Sequence, residues 1–217
     1  MAAHDSSLKF DKSSLGENRH ICAFFNGMDE HYRVLEAFIK DGFANGEKAF
    51  HLVDPQRRED HLRRLAGAGI DVDAATESGQ LEVRLWQETY IPEDRFDQQA
   101  MLARIEELLA AGEAAGYPRT RLLAHMEWAL LDTPGADDLI PYEARLNQLL
   151  ANHDSAVVCS YDLSRFDAST VVYALRTHPL VIIGGLLQEN PFFVPPVQFL
   201  LEIRERRSVG ATAGMAS

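Results

Sequence analysis

The segment Asn26-Gly27-Met28-Asp29-Glu30-His31-Tyr32 joins an apolar run, His20-Ile21-Cys22-Ala23-Phe24-Phe25, to Val34, Leu35, Phe38 and Ile39 at helical spacing. A strand, a Gly-containing turn and a helix are the parts from which α/β proteins build a phosphate cradle. That cradle needs several glycines and a lysine, as in G-x-x-x-x-G-K-[ST]. This turn has one glycine, no lysine, and two acids, Asp29 and Glu30, at the helix start. Acids suit the positive end of a helix but repel a phosphate placed there. The sequence therefore predicts a nucleotide-binding architecture whose phosphate site is dismantled, and it points to binding rather than catalysis.

Three further groups have residue types that could do chemistry. Glu127-Trp128 follows the apolar run that starts at Arg121. In a nucleotide hydrolase an acid there holds magnesium or activates water; the plain alternative is a strand-end acid that caps a helix, with Trp128 in the core. Cys159-Ser160-Tyr161-Asp162 leaves another apolar run. Strand alternation puts Cys159 and Tyr161 on one face and Ser160 and Asp162 on the other. Tyr161 offers a ring and a hydroxyl to a ligand, or is a core tyrosine; Asp162 stands near Arg165 as a turn-stabilising pair. His20, His125 and His178 could join Cys22, Cys159 and Glu127 as metal donors, but close spacing of the C-x-x-C or H-E-x-x-H kind is missing, and no metal is expected. Nor is there a G-x-S-x-G elbow for a nucleophile. Cys159 lies inside an apolar run, where a thiol stays protonated.

The elements that would position these residues alternate. Strands are expected at His20–Phe25, Lys48–Val53, Leu81–Trp86, Arg121–Trp128, Ala156–Tyr161 and Leu180–Ile183. Between them lie helical patterns, at Arg57–Ala66 and around Met101, Ile105 and Leu109 among others. A last helix is expected over Pro196–Arg207. Residues 1–18 and 208–217 are expected to be loose, with one domain over 19–207. Alternating strands and helices imply an α/β fold with a doubly wound, mostly parallel sheet. Ala156–Tyr161, apolar on both faces, belongs at the sheet's centre. In such sheets ligands bind beyond the carboxyl ends of the strands. The expected ligand-binding cleft is therefore walled by Asn26, Asp54, Glu127, Trp128, Tyr161 and Asp162.

Composition narrows the classes. The chain of 217 residues is 46% hydrophobic and 25% charged, as in a globular domain with a sizeable core. A net charge of −12 argues against nucleic-acid binding, which needs clustered Lys and Arg. The basic stretch Arg57–Arg64 is interrupted by Glu59 and Asp60 and reads as a solvated helix face. The only cysteines, Cys22 and Cys159, are expected to be buried and reduced. No membrane span and no signal peptide are expected, which gives a cytoplasmic protein.

Taken together, these stretches resemble a known family. His20–Phe25 followed by Gly42-Phe43-Ala44-Asn45-Gly46-Glu47-Lys48, then Cys159–Asp162, Arg176-Thr177-His178-Pro179-Leu180 and Asn190-Pro191-Phe192-Phe193, are similar in order and spacing to the MEDS domains. These are sensory domains of methanogens, methylotrophs and DcmR-like regulators. The resemblance covers about residues 18–207. It implies a RecA/KaiC-like core without a Walker A phosphate loop, and an input role in transcriptional or two-component signalling. It supplies no catalytic residue and no cofactor. Partners would be a small molecule or a signalling protein, such as a histidine kinase, an anti-sigma module or a transcription regulator, and a homodimer fits as well. No output module is expected within residues 1–18 or 208–217, so the chain would act alone or as a piece of a larger regulator. Two other readings stand beside this one: a degenerate nucleotide-binding regulator that uses Glu127, and a protein–protein interaction module without a small ligand.

Overall fold

The computed structural model describes residues 19–214, with side chains as far as Arg207. Residues 1–18 and 215–217, expected to be loose, lie outside the described residues. The chain runs β1 (His20–Phe25), α1 (Met28–Ala44), β2 (Lys48–Val53), α2 (Arg58–Gly67), α3 (Val72–Glu77) and β3 (Leu81–Leu85). It continues through α4 (Trp86–Thr89), α5 (Gln98–Ala114), β4 (Thr120–His125), α6 (Leu139–Leu150) and β5 (Ala156–Asp162). It ends with α7 (Ala168–Thr177), β6 (Leu180–Ile183), β7 (Leu186–Glu189) and α8 (Pro196–Gly214). The last helix continues beyond Arg207, where the sequence pattern ends it.

The strands form one sheet in the order β3-β2-β4-β5-β1-β6-β7. All neighbours pair in parallel except β6 and β7, which form an antiparallel hairpin. The all-apolar run is indeed the middle strand: β5 is buried along its whole length between β4 and β1. Alternation along each strand feeds two cores. Cys22, Phe24, Phe50, Leu122, Val157 and Cys159 face a layer that includes α5 and α6. Ile21, Ala23, Ala49, Leu123 and Val158 face α1, α2 and α3. Helices on both faces make the sheet doubly wound, as the alternating pattern requires.

The caps follow the sequence. Asp97 accepts from the amides of Gln99 and Ala100 at the start of α5, and Asp167 accepts from Thr170 N at 2.8 Å at the start of α7. The strands differ from expectation at three places: Trp86 opens α4 instead of ending β3, Leu186–Glu189 adds β7, and the fourth strand is shorter. β4 stops at His125, and Met126–Leu130 forms a 3-10 turn, so Glu127 and Trp128 stand on the turn and not on the strand. Met126 and Trp128 both sink into the α5/α6 core from this turn. The cysteines are both buried and free, and they are register partners on β1 and β5.

Candidate functional site

The carboxyl ends of β1, β2, β4 and β5 lie side by side, and the turns that leave them hold most of the nominated residues. At the first, Gly27 takes φ +87°, and the chain enters α1. Asn26 is exposed. Its amide donates to Glu30 Oε2 at 2.8 Å, while Gly27 N donates to Asp162 Oδ1 at 3.3 Å. Asp162 Oδ1 also accepts from Ser164 N at 3.0 Å and Ser164 Oγ at 2.7 Å. Its role is to tie the β5 turn to the β1 turn through backbone and serine donors. A phosphate cradle works by pointing free amides at an anion. Here two of the amides that would do so are engaged by carboxylates of the chain itself.

Asp54 accepts from Gln56 N at 2.9 Å and so caps the turn Pro55–Arg57 that leaves β2. Glu127 is buried, its Oε2 has no hydrogen-bond partner, and burial raises its pKa above the ordinary carboxyl value. The opposing pull comes from a backbone hydrogen bond and from Arg165 and Arg57, while Asp162 adds to the rise. Trp128 and Tyr161 do not wall an open cleft. Trp128 is fully buried and stacks on Tyr90, with centroids 4.6 Å apart at 16°. Tyr161 packs among Phe24, Phe166 and His178. The six nominated residues thus converge at one end of the sheet. Asn26, Asp54 and Asp162 shape its turns, Glu127 supplies a buried carboxyl, and the two aromatics support it from the core.

Beneath the turns, on the α1/α2 face, lies a set that the sequence reading missed. His31 from α1, His51 from β2, His61 from α2 and His125 from the end of β4 are all buried. The His31 and His125 rings meet edge-on at 4.9 Å, and His61 lies 6.0 Å from His125. Tyr32 Oη and His61 Nδ1 are 2.6 Å apart, and His61 Nε2 and His51 Nδ1 are 2.9 Å apart. Burial drives all four imidazoles to the neutral form, with His51 held down at about 3 and His125 at about 4. Neither ring nitrogen of His31 or of His125 has a hydrogen-bond partner. Buried polar atoms in native proteins are nearly always paired, with protein, water or a ligand, so four nitrogens without a protein partner in one cluster are donors and acceptors open to another molecule.

The cluster is linked through Tyr32 to a cleft between α1 and α2. This cleft of about 510 Å³ is lined by Tyr32, Arg33, Asp60, Arg64 and Leu65 among others. Arg64 lies over the Tyr32 ring at 4.7 Å and bridges to Asp29 at 2.7 Å and Asp60 at 2.8 Å. Tyr32 is therefore the floor of the cleft and the first link in the Tyr32–His61–His51 chain. Sequence separation hid this set: 20 residues divide His31 from His51 and 64 divide His61 from His125. The available signal was parity, since His51 shares its strand face with Ala49 and His125 with Leu123. The remaining buried histidines, His20 and His178, sit on the opposite face with Cys159 and do not belong to this site.

Comparisons with known proteins agree with this architecture. The family model for the MEthanogen/methylotroph, DcmR Sensory domain (MEDS) matches residues 19–179. The transcriptional repressor DcmR of Methylorubrum extorquens is 24% identical over 160 residues, which are 73% of this chain and 57% of that protein. The chain thus spans little more than half the length of this relative. Among solved structures, a KaiC-like protein of Pyrococcus horikoshii superposes with a TM-score of 0.51 at 14% identity, over 76% of this chain and 69% of the other. The flagellar accessory protein FlaH of Methanocaldococcus jannaschii gives 0.50 at 12% identity, over 81% and 79%. These two establish a RecA/KaiC-like fold.

Proposed function

This chain belongs to the MEDS family of sensory domains, and from that premise we propose that it is a non-catalytic input module that binds a small organic molecule at the carboxyl end of its sheet. The observation that carries the reading is the group of buried polar atoms without a protein partner on His31, His125 and Glu127, beside Tyr32, which lines the α1/α2 cleft. Neutral imidazoles and a carboxyl of raised pKa suit a small uncharged or cationic molecule with one polar end. A bound molecule would supply the missing hydrogen bonds, each contributing about 0.5–1.5 kcal/mol. It would also move α1 and α2 apart, and that displacement would be the signal read by a kinase, an anti-sigma module or a transcription regulator.

The reading as a nucleotide-binding regulator is disfavoured by the engagement of the Asn26 and Gly27 amides with Glu30 and Asp162. The reading as an interaction module without a ligand has no comparable observation in its favour, and the measurement below separates the two. Native mass spectrometry of freshly purified protein, followed by titration calorimetry with Mg-ATP, tests the proposal. The expected result is a retained small organic molecule and an ATP dissociation constant weaker than about 10 μM, on the order of −7 kcal/mol. Tight Mg-ATP binding would favour the nucleotide reading. A ligand-free protein whose regulatory output is unchanged in Glu127→Gln and His125→Leu would favour the interaction module.

A further inference from the structure

A second buried polar cluster lies on the opposite face of the sheet, between the amino half of the strands and α6. It consists of His20 at the start of β1, Cys159 within β5, His178 just before β6, and Glu143 on α6. All four are buried. One donor atom from each lies within 4.8 Å of every other. We propose that these four side chains form a closed binding site for one divalent metal ion of the zinc class.

The spacing is that of a coordination shell. His20 Nε2 is 3.1 Å from Glu143 Oε2, and His178 Nε2 is 3.5 Å from the same oxygen. Cys159 Sγ is 3.5 Å from His20 Nε2 and 3.9 Å from Glu143 Oε2. Ligands bound tetrahedrally to zinc at the usual lengths stand about 3.3–3.7 Å from one another. Four of the six separations are thus close to the edge lengths of such a tetrahedron, and the other two are at most 4.8 Å.

The imidazoles are also oriented for coordination. His178 Nδ1 faces the Ala174 carbonyl at 2.8 Å, which fixes the proton on Nδ1 and leaves Nε2 as an acceptor. His20 Nδ1 faces Asn147 Oδ1 at 3.3 Å. That amide cannot be turned round, because Asn147 Nδ2 donates to the Thr177 carbonyl at 2.7 Å and the Glu143 carbonyl at 3.1 Å. Both Nε2 lone pairs therefore point inward, each ring held from behind by an outer acceptor, as metal-binding histidines usually are. Without an ion the arrangement is incomplete: His178 Nε2 and Glu143 Oε1 have no hydrogen-bond partner. The His20–Glu143 approach is a neutral contact, since burial holds His20 down at about 3 and pushes Glu143 up to about 7.

The donor chemistry selects the ion. Two imidazoles, a thiol and a carboxyl suit zinc or cobalt and do not suit calcium or magnesium, which want oxygen. A divalent ion with one thiolate, one carboxylate and two neutral imidazoles has no net charge, which lets the site stay buried. Binding sends the Cys159 thiol proton, and any proton on Glu143, to solvent. A cleft of about 590 Å³ lined by His20, Asn147 and Pro179 gives access from the amino end of the sheet. Sequence reading named His20, Cys159 and His178 among possible donors but grouped them with His125 and Glu127, and it missed Glu143, which only the packing of α6 brings in.

The test uses the full chain, stripped by a strong chelator and then titrated with Zn²⁺ against a chromophoric competitor and with Co²⁺ by absorption. One equivalent of zinc should bind with a dissociation constant below about 10 μM, on the order of −7 kcal/mol. Cobalt should give tetrahedral d–d bands and a thiolate charge-transfer band. Cys159→Ser should abolish the charge-transfer band, His178→Gln should weaken zinc at least tenfold, and Cys22→Ser should change neither. Circular dichroism of each variant separates loss of metal from loss of fold. Failure of the unaltered protein to bind one equivalent below that threshold overturns the proposal. So does a charge-transfer band that survives Cys159→Ser in a folded variant.

Discussion

At the residue scale, the buried histidines of the α1/α2 face make stability depend on pH with a definite sign. Burial holds His51 at about 3 and His125 at about 4 in the folded chain, whereas an unfolded histidine titrates near 6.5. Between those values the unfolded state binds more protons, so stability rises with pH. The contribution is complete above about pH 6.5 and is lost as pH falls towards the folded values. Each such group adds a slope of about 1.4 kcal/mol per pH unit. Urea unfolding at pH 7.5, 6.5 and 5.5 should show a steep loss over the lower interval, and His125→Leu should make it shallower by about one proton. A stability that is flat from pH 7.5 to 5.5 would contradict the burial of these rings. Glu127 behaves in the opposite way. Its folded pKa lies above the unfolded value because of burial. Its favourable contribution is therefore present at low pH and is lost as pH rises through the folded value. Glu127→Gln should leave the melting temperature at pH 7.5 equal or higher, with the gain shrinking as pH falls, and should impair the response to ligand. A melting temperature that drops on this substitution would mean that the ionised carboxylate has a structural partner.

At the scale of elements, one glycine is indispensable for steric reasons. Gly135, in the loop before α6, takes φ +87°, and a Cβ there would collide with the Phe96 carbonyl. Phe96 cannot retreat, because its amide donates to the Pro134 carbonyl at 2.9 Å and its ring packs on Trp128 and Tyr142. Gly135→Ala combines left-handed strain with a backbone clash and should cost at least about 2 kcal/mol. A denaturant midpoint within experimental error of the unaltered protein would refute this. Six strands and the longer helices between them are legible because each has a clear period and a turn residue at its end, whereas the short helices α3 and α4 are not. The hairpin partner β7 was missed although its signal is local. Gly184 and Gly185 both take positive φ, at 59° and 79°, which is what a two-residue hairpin turn requires. The same glycines also suit a plain strand end after Ile183, and the four residues Leu186–Glu189 are too short to show a period of their own. The end of β4 was misplaced for another reason: Leu123, His125 and Glu127 continue a strand-like alternation that the 3-10 turn at Met126 interrupts. The candidate site was half legible. The strand-end rule finds the turns that hold Asn26, Asp54 and Asp162, but a cluster assembled from α1, β2, α2 and β4 has no linear trace.

For the whole molecule, the sheet order separates a buried centre from an exposed rim, and this bears on how a signal could leave it. β5 is flanked on both sides and buried at all seven positions, and β1 is buried throughout. β7 pairs only with β6 and is largely exposed, and β3 is the other edge. Opening free energy in native proteins follows burial and the number of protected neighbours. Hydrogen exchange should therefore be slowest in β5, β1 and β4 and fastest in β7 and the outer helices. The helices α1 and α2 belong to an intermediate class. They are held by Leu35, Phe38, Ile39 and Leu65 against the sheet, but between them lies the cleft floored by Tyr32, spanned by the Arg64–Asp29 ion pair, by Arg64 over the Tyr32 ring and, beneath it, by the buried Tyr32–His61 hydrogen bond. Asp29 is almost fully exposed, and pairs of that kind contribute about 0–1 kcal/mol. Separating the helices at that point breaks one exposed ion pair and the Tyr32–His61 hydrogen bond but leaves every strand pairing of the sheet intact. Binding at the histidine cluster should change exchange in α1 and α2 while leaving β5 and β1 unaltered. The measurement is exchange mass spectrometry of the protein as purified against the same protein stripped of small molecules. Changes confined to β7 and α8, or spread evenly over the sheet, would place both the site and the route of the signal elsewhere.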